Sequence, residues 1–356
     1  MTVTRACINA IGCAVPAQDV HSAFIGWAED QLGDSRDRAI FTRMAGRSGI
    51  GHRWSVLPVS DSGGSPVDPG GFYADALPPT SQRMQLYAQW APILAMEAID
   101  QLRDQVSIDG VTHLVVASCT GFVAPGIDQI IAQRIDLPGV ERTLVGFMGC
   151  YAAVAALRTA RHIARSEPGA KILVVTVELS SLHFQRDVQV ERLLAMLQFG
   201  DGAAAALVSA QDDGIAIERP FSIAVKDTAD LIRWDVGDNG FVMHLSGAVP
   251  GHIQAALGDA DVRRQIVGGD DPSAIDSWAV HAGGRSILDA VEHGLGLDPE
   301  ALAVSRNVLA RFGNMSSATL MFILRDMLER PGAGQGVALA FGPGLAAEGF
   351  RFERRR

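Results

Sequence analysis

Basic charge, cysteine and long apolar runs are all in short supply in this chain. Lys and Arg number 30 against 40 Asp and Glu, a formal net charge of −10. That deficit excludes the clustered basic face of a nucleic-acid-binding protein. It leaves room for a small local basic patch on an anionic substrate. No apolar run approaches the ~20 residues that span a bilayer, so no membrane insertion is expected. The opening Met1-Thr-Val-Thr-Arg-Ala-Cys-Ile lacks the basic-then-apolar order of a secretory leader. Only four cysteines occur, Cys7, Cys13, Cys119 and Cys150. They predict free thiols in a reducing, cytoplasmic setting rather than a disulfide framework. No Cys or His pair has zinc spacing, so no metal is expected. No Gly-rich turn carries the Lys-Ser/Thr of a phosphate loop or the spacing of a dinucleotide fingerprint.

What is present reads as an ordinary globular protein. The chain has 356 residues, 48% hydrophobic and 20% charged, enough for a large core and about two domains. The Gly/Pro-dense stretch 60–71 predicts a loop, and a helix is expected over 81–102. Apolar runs at 113–118, 143–147, 171–179 and 203–209 predict buried strands, with a helix over 150–166. Strands at 278–280 and 336–341 and helices at 286–293 and 315–330 follow. The alternation implies an α/β architecture. Residues 212–277 are more polar and irregular, and read as a place for substrate-specific loops. The Arg354–Arg356 tail reads as a solvated terminus.

Three polar residues stand where chemistry is feasible. Cys150 follows a strand and a Gly-flanked turn, at the start of an Ala-rich helix. A helix N-terminus offers unpaired N–H groups that stabilise a thiolate. A small buried hydrophobe is the competing reading. A cysteine nucleophile needs a base, and His281 has the most suggestive setting of the nine histidines. It ends the Trp278–Val280 strand, where α/β proteins open ligand crevices; a helix-capping loop histidine is the alternative. His113, His162 and His293 read as strand-entry or helix-face residues. Asn314 precedes a helix, as an N-cap or as a neutral amide donor for an enolate oxygen.

Taken together, seven segments resemble the type III polyketide synthases, the chalcone synthase-like branch of the thiolase superfamily. They are Thr112-His-Leu-Val-Val, Gly121–Gly126, Gly149-Cys-Tyr-Ala, Phe199-Gly-Asp-Gly-Ala-Ala-Ala, His281-Ala-Gly-Gly-Arg-Ser-Ile-Leu-Asp, Gly313-Asn-Met-Ser-Ser-Ala and Phe341-Gly-Pro-Gly. Each is weak alone; their shared order covers nearly the whole chain. The resemblance implies an α/β, thiolase-like fold: two similar αβαβα halves in a five-layer core, divided into 1–212 and 213–356, in a homodimer. It implies that Cys150 carries the acyl chain, that His281 keeps the thiolate formed and polarises the extender thioester, and that Asn314 assists malonyl-CoA decarboxylation. Phe199 matches a gatekeeper aromatic, and Met243 stands where plant enzymes have a second. Arg43 and Arg47 match CoA-phosphate positions, a third being occupied by Ile40. Cys119, Thr120, Ala124, Ser180, His183 and Trp234 fall at cavity positions. Ser316, Gly342 and Gly344 join them as substrate- or CoA-binding positions. Ala282 departs from the plant proline after the catalytic histidine.

The implied activity is iterative decarboxylative condensation of malonyl-CoA onto an acyl-CoA starter, then cyclisation, with no cofactor beyond the CoA thioesters. Cys119-Thr-Gly and Ser180–Phe184 favour a fatty acyl starter and an alkylpyrone or alkylresorcinol product. Met243 and Ala124 open space for such a chain, while Trp234 narrows it. Cys119 reads as a cavity-lining spectator rather than a second reactive thiol. Two other readings use the same residues: a ketoacyl synthase III-like single condensation, and a Cys-His-Asn acyl hydrolase. An inactive scaffold is disfavoured by the intact triad.

Overall fold

The structure, a computed structural model, describes residues 4–60, 63–74 and 76–355. Parts of the expected leader-free N-terminus, of the 60–71 loop (Asp61 and Ser62) and of the arginine tail (Arg356) lie outside the described residues. The first half runs β1 (Cys7–Ala14), β2 (Gln18–Asp19), α1 (His21–Gln31), α2 (Ser35–Ala45), β3 (Trp54–Ser55), α3 (Thr80–Arg103), β4 (His113–Ser118), α4 (Ile127–Arg134), β5 (Glu141–Gly146), α5 (Ala152–Ser166), β6 (Ile172–Leu179), α6 (Val190–Met196) and β7 (Asp201–Ser209). The second runs β8 (Gly214–Ala224), β9 (Ile232–Gly237), β10 (Gly240–Leu245), α7 (Val249–Gly258), α8 (Ala260–Val267), β11 (Ser277–Val280), α9 (Arg285–Leu295), α10 (Ala303–Phe312), α11 (Ser317–Leu328), β12 (Gly334–Gly342) and β13 (Ala346–Arg355). Every strand and helix read from the sequence recurs, its ends moved by two residues or fewer.

Nine strands pair in the order β11-β12-β13-β8-β1-β7-β6-β4-β5. The order hides a repeat. In the first half β4 runs parallel to β6, β6 antiparallel to β7, and β7 antiparallel to β1. In the second, β11 runs parallel to β12, β12 antiparallel to β13, and β13 antiparallel to β8. The two halves therefore share one topology, joined where β1 meets β8 over only two residue pairs. Strand β5 is an addition, parallel to β4 and without a counterpart.

Burial explains why these segments are strands. β4, β6, β7 and β11 are buried along their whole length, as near-continuous apolar runs are when helices cover both faces. Along β7, Ala203, Ala205 and Leu207 enter one core while Ala204, Ala206 and Val208 enter the other, the period of two that a pleated strand imposes. Helices α5 and α11 form the middle layer. The first touches β4, β6 and β7 on one side and β8 and β13 on the other; the second touches β1, β6 and β7 and also β11. Six of the eight buried positions of α5 are alanine, which keeps the helix thin enough to sit between the two halves of the sheet. α3 and α4 cover the outer face of the first sheet, and α8 and α10 lie on the second. The result is the expected five layers.

The stretch 212–277 is a correction. Instead of irregular loops it holds the 11-residue strand β8, the β9–β10 hairpin and two helices. Its polar residues face outward: Arg233 and Asp235 alternate with Ile232 and Trp234 along β9. Among the described residues no helix is long and apolar enough to cross a membrane.

Candidate active site

The shared topology places two strand ends and two helix starts at one crevice. β4 ends one residue before Cys119 and β11 one residue before His281, and the turns before α5 and α11 carry Cys150 and Asn314. One cavity is lined by Cys150, His281 and Asn314 together with Cys119, Thr120, Ser180, Phe199, Trp234, Met243, Ser316 and Gly342. Its lining is largely apolar, completed by Ile232, Leu245, Ile287 and Pro343, which the sequence reading did not single out. The cavity measures ≈ 60 Å³.

Cys150 sits in the 3-10 turn Gly149–Tyr151, just ahead of α5. Gly149 has φ +77°, and a Cβ there would lie 2.5 Å from Pro343 Cδ. Glycine is needed at this point because the Phe341-Gly-Pro-Gly turn leans on the cysteine turn. Asn314 is held by the Phe199 turn, its N–H donating to Gln198 O at 2.8 Å and its carbonyl accepting from Gly200 N at 3.0 Å. Its Oδ1 accepts from Ser316 N at 2.8 Å and its Nδ2 donates to Gly283 O at 3.2 Å. The oxygen is thereby occupied, and the amide's donor side faces the cavity. Ser316 adopts φ +48°, a strained conformation for a residue with a Cβ, costing roughly 1–3 kcal/mol. In that pose its hydroxyl lies 3.2 Å from Cys119 Sγ.

The electrostatics correct one expectation. Burial pushes the Cys150 thiol up to about 11, against the lowering hydrogen bonds from Ser316 and Asn314. A lowered pKa from the α5 N-terminus does not follow, because desolvation of the anion outweighs the turn's donors. His281 is buried, and burial alone pulls its pKa down to about 3. Neither of its ring nitrogens has a hydrogen-bond partner among the described residues. The pair is thus a neutral thiol beside a neutral imidazole with a free lone pair, which suits a base that takes the thiol proton on demand.

Glu178 was missed. It is the penultimate residue of β6, otherwise an apolar run apart from Thr176, and it is fully buried. Its carboxylate accepts from Cys119 N at 3.0 Å, Thr120 Oγ1 at 2.9 Å and Ser317 Oγ. Burial still pushes it up to about 7. The signal was legible: a carboxylate in a strand buried on both faces calls for a polar site. Burial and this carboxylate push the Cys119 thiol well above its usual range, so Cys119 donates to Glu178 at 3.4 Å rather than acting as a nucleophile.

Other expected residues lie elsewhere. His183 is buried behind the cavity and lines a second one. Ala124 is exposed, and Gly344 does not line the cavity. Arg43 and Arg47 are exposed; Arg43 flanks an open groove with Arg38 and Thr42 on α2, and the Arg47 carbonyl accepts from Arg285 Nη1. No group of three or more His, Cys, Asp or Glu residues that could hold a metal ion occurs among the described residues.

Comparison with known proteins follows this geometry. Residues 2–212 match the family model for the N-terminal domain of chalcone and stilbene synthases, and residues 221–354 the model for the C-terminal domain. A Mycobacterium tuberculosis protein named alpha-pyrone synthesis polyketide synthase-like Pks18 is 37% identical over 252 residues. That match covers 67% of this chain and spans 64% of the relative's length. Bisdemethoxycurcumin synthase of Oryza sativa subsp. japonica is 35% identical over 297 residues, 76% of this chain and 73% of its own. The crystal structure of PKS-I from the brown alga Ectocarpus siliculosus superposes with a TM-score of 0.87 at 28% identity, covering 100% of both chains. The type III polyketide synthase domain of Steely1 from Dictyostelium does so with a TM-score of 0.87 at 24% identity, over 98% of this chain and 99% of that one. The last likeness bears on the fold alone, which is the thiolase-like fold expected.

Proposed function

The chain belongs to the chalcone and stilbene synthase family, and from that premise we propose that it is a type III polyketide synthase making α-pyrones from an acyl-CoA starter and malonyl-CoA. The observation that carries the reading is an apolar-lined cavity that also presents a thiol, an imidazole with unpartnered nitrogens and an amide whose donor side faces inward. His281 takes the Cys150 proton as the sulfur attacks the starter carbonyl, and CoA leaves carrying a proton. Malonyl-CoA then loses CO₂. The enolate oxygen this generates needs donors, and Asn314 Nδ2 with the N–H of neutral His281 supplies them. The carbanion attacks the Cys150 thioester, the carbon–sulfur bond breaks, and the lengthened chain is carried on CoA until it is reloaded. Attack of an enol oxygen on the terminal thioester closes the pyrone and expels the thiol.

Several finer points belong to the same proposal. The α-pyrone product takes its support from the name of the mycobacterial relative. The apolar lining supports an alkyl starter over a polar one. Arg43 and Arg47 serve the CoA phosphates, supported by their exposure on and beside α2. The division into 1–212 and 213–356 falls in the turn between β7 and β8. Four free cysteines support a reducing, cytoplasmic setting. A homodimer through β5 is supported by the free edge of that strand.

The test is mass spectrometry of products from malonyl-CoA and acyl-CoAs of graded length, with Cys150→Ala and Asn314→Ala in parallel. Pyrones and CO₂ are expected from the wild type, none from Cys150→Ala, and roughly 100–1000-fold less from Asn314→Ala. Free acid without CO₂ would instead make the protein a hydrolase.

A further inference from the structure

Unpaired cations crowd one helix beside the reaction cavity. Helix α2 presents Arg36, Arg38 and Arg43 to solvent, and Arg47 follows two residues beyond its end. None of the four pairs with a carboxylate among the described residues, where the ion pairs belong to other arginines. The sequence holds no Asp or Glu from Arg38 through Ser60, in a chain of net charge −10. We propose that this basic row is the docking site of a small acidic carrier protein, which hands the acyl starter to Cys150 on a phosphopantetheine arm. The inference rests on the polyketide synthase reading above and names a second donor of the starter beside acyl-CoA. In the transfer, the Cys150 sulfur attacks the carrier's thioester carbonyl. Its proton passes through His281 to the departing phosphopantetheine thiol, so one carbon–sulfur bond forms as another breaks.

Helical spacing makes the row continuous. Phe41 and Ala45 are buried in the core of the first half, so the opposite face of α2 looks outward. Arg36, Ile40, Arg43 and Arg47 follow at intervals of four, three and four residues, which stacks side chains along one side of a helix. From Arg36 to Arg43 the row runs about 10 Å along the axis. Met44, 45% exposed, and the half-buried Ile40 set apolar side chains among the cations. An acidic amphipathic helix complements such a row, carboxylate to guanidinium and apolar residue to apolar residue. The position fits delivery. The Arg47 carbonyl accepts from Arg285 Nη1 at 3.3 Å, and a Cβ on Gly49 would lie 3.9 Å from Arg285 Cβ. Arg285 opens α9 between Gly283 and Ile287, both of which line the reaction cavity. Its side chain is 55% exposed, so it marks where that cavity meets the surface. A partner lying on α2 therefore holds its arm at the cavity mouth. An anionic membrane fits less well. Met44 is the only large apolar side chain exposed on α2, too little to bury in lipid, and the chain's net charge is −10.

The test follows Cys150 acylation by intact mass from three donors: octanoyl-CoA, octanoyl-phosphopantetheine, and a small acidic acyl carrier protein bearing the same octanoyl arm. At low salt the carrier is expected to acylate the wild type roughly 10–1000-fold faster than the free arm, the gain that charge steering supplies. Arg36→Glu and Met44→Glu should each slow the carrier route about tenfold and leave the octanoyl-CoA rate within about twofold. Loss of folded protein lowers both rates and leaves their ratio unchanged, so misfolding does not mimic the effect. Equal rates from the carrier and the free arm would overturn the proposal. So would equal slowing of the carrier and CoA routes in Arg36→Glu, which would make the row a general anion surface. Co-sedimentation with phosphatidylglycerol vesicles that is lost in Arg36→Glu would assign the row to a membrane instead. Pyrone from octanoyl-CoA and malonyl-CoA, with no gain from the carrier, removes the docking site alone. Carrier-dependent acylation of Cys150 that yields no CO₂ or pyrone on adding malonyl-CoA keeps the docking site and removes the polyketide reading.

Discussion

Glu178 sets a measurable pH dependence. Burial raises its folded pKa to about 7 from an ordinary 4.5, hydrogen bonds from Ser317, Cys119 and Thr120 lowering it only in part. No ion pair involves it among the described residues. Between those two values the unfolded chain gives up this proton while the folded chain keeps it. The unfolded state therefore binds fewer protons, and stability falls as pH rises, by about 1.4 kcal/mol per unit. The loss across the window is about 3 kcal/mol, complete above pH 7 and absent below 4.5. Glu178→Gln removes it. Urea midpoints of the two proteins between pH 5 and 8 are expected to diverge in favour of the variant as pH rises; parallel curves would mean Glu178 ionises as freely as in water. The shared cavity of Cys150, His281 and Asn314 was legible in the sequence, because strand ends and helix starts are where α/β proteins expose side chains. It hid the charge state: a helix N-terminus is visible in a residue string, whereas desolvation of Cys150 depends on Ile287, Leu245 and Pro343, which come from remote segments.

Close packing of secondary structure on secondary structure gives a second expectation. Gly12 lies in β1 where α3 crosses it, and a Cβ there would fall inside the contact distance of Ala98 O and Leu102 N. Backbone atoms of a helix cannot move aside singly, so Gly12→Ala must separate β1 from α3. A loss of about 1–3 kcal/mol or more is expected, read as a lower thermal midpoint. Gly139→Ala, which meets nothing within 4 Å, should change little and serves as the control. The long apolar strands and helices were legible because wholly buried runs need no phase information. The β9–β10 hairpin was not read, although Gly237-Asp-Asn-Gly240, a two-residue connection flanked by glycines between two alternating segments, is a strong hairpin signal. Its outward Arg233, Asp235 and His244 raised the polarity of the stretch and obscured a period of two. The cost was the roof of the cavity, since Ile232, Trp234, Met243 and Leu245 come from that hairpin.

The repeat also explains where a second copy would bind. The first half exceeds the second by β5, which closes one end of the nine-stranded order and pairs on one side only. An unpaired edge is a template for another strand. Along it β5 is exposed at Glu141–Leu144 and Gly146, with Leu144 49%, Phe147 36% and Phe122 52% exposed. Phe122 and Phe147 pack on one another at 5.4 Å and both reach Phe241 behind Trp234. An apolar edge of this kind is a liability in a monomer and an anchor in a dimer. Light scattering is expected to give twice the chain mass for the wild type. Leu144→Asp puts a carboxylate on each copy at the shared edge and is expected to give the single-chain mass with unchanged far-ultraviolet circular dichroism. A monomeric wild type would remove β5 as an interface. The consequence extends to chemistry, because β5 ends at Gly146 and the turn holding Cys150 begins at Gly149. With so little chain between them, an edge released from its partner loosens the turn that holds Cys150. The monomeric variant should therefore acylate Cys150 more slowly than the wild type at equal folded concentration.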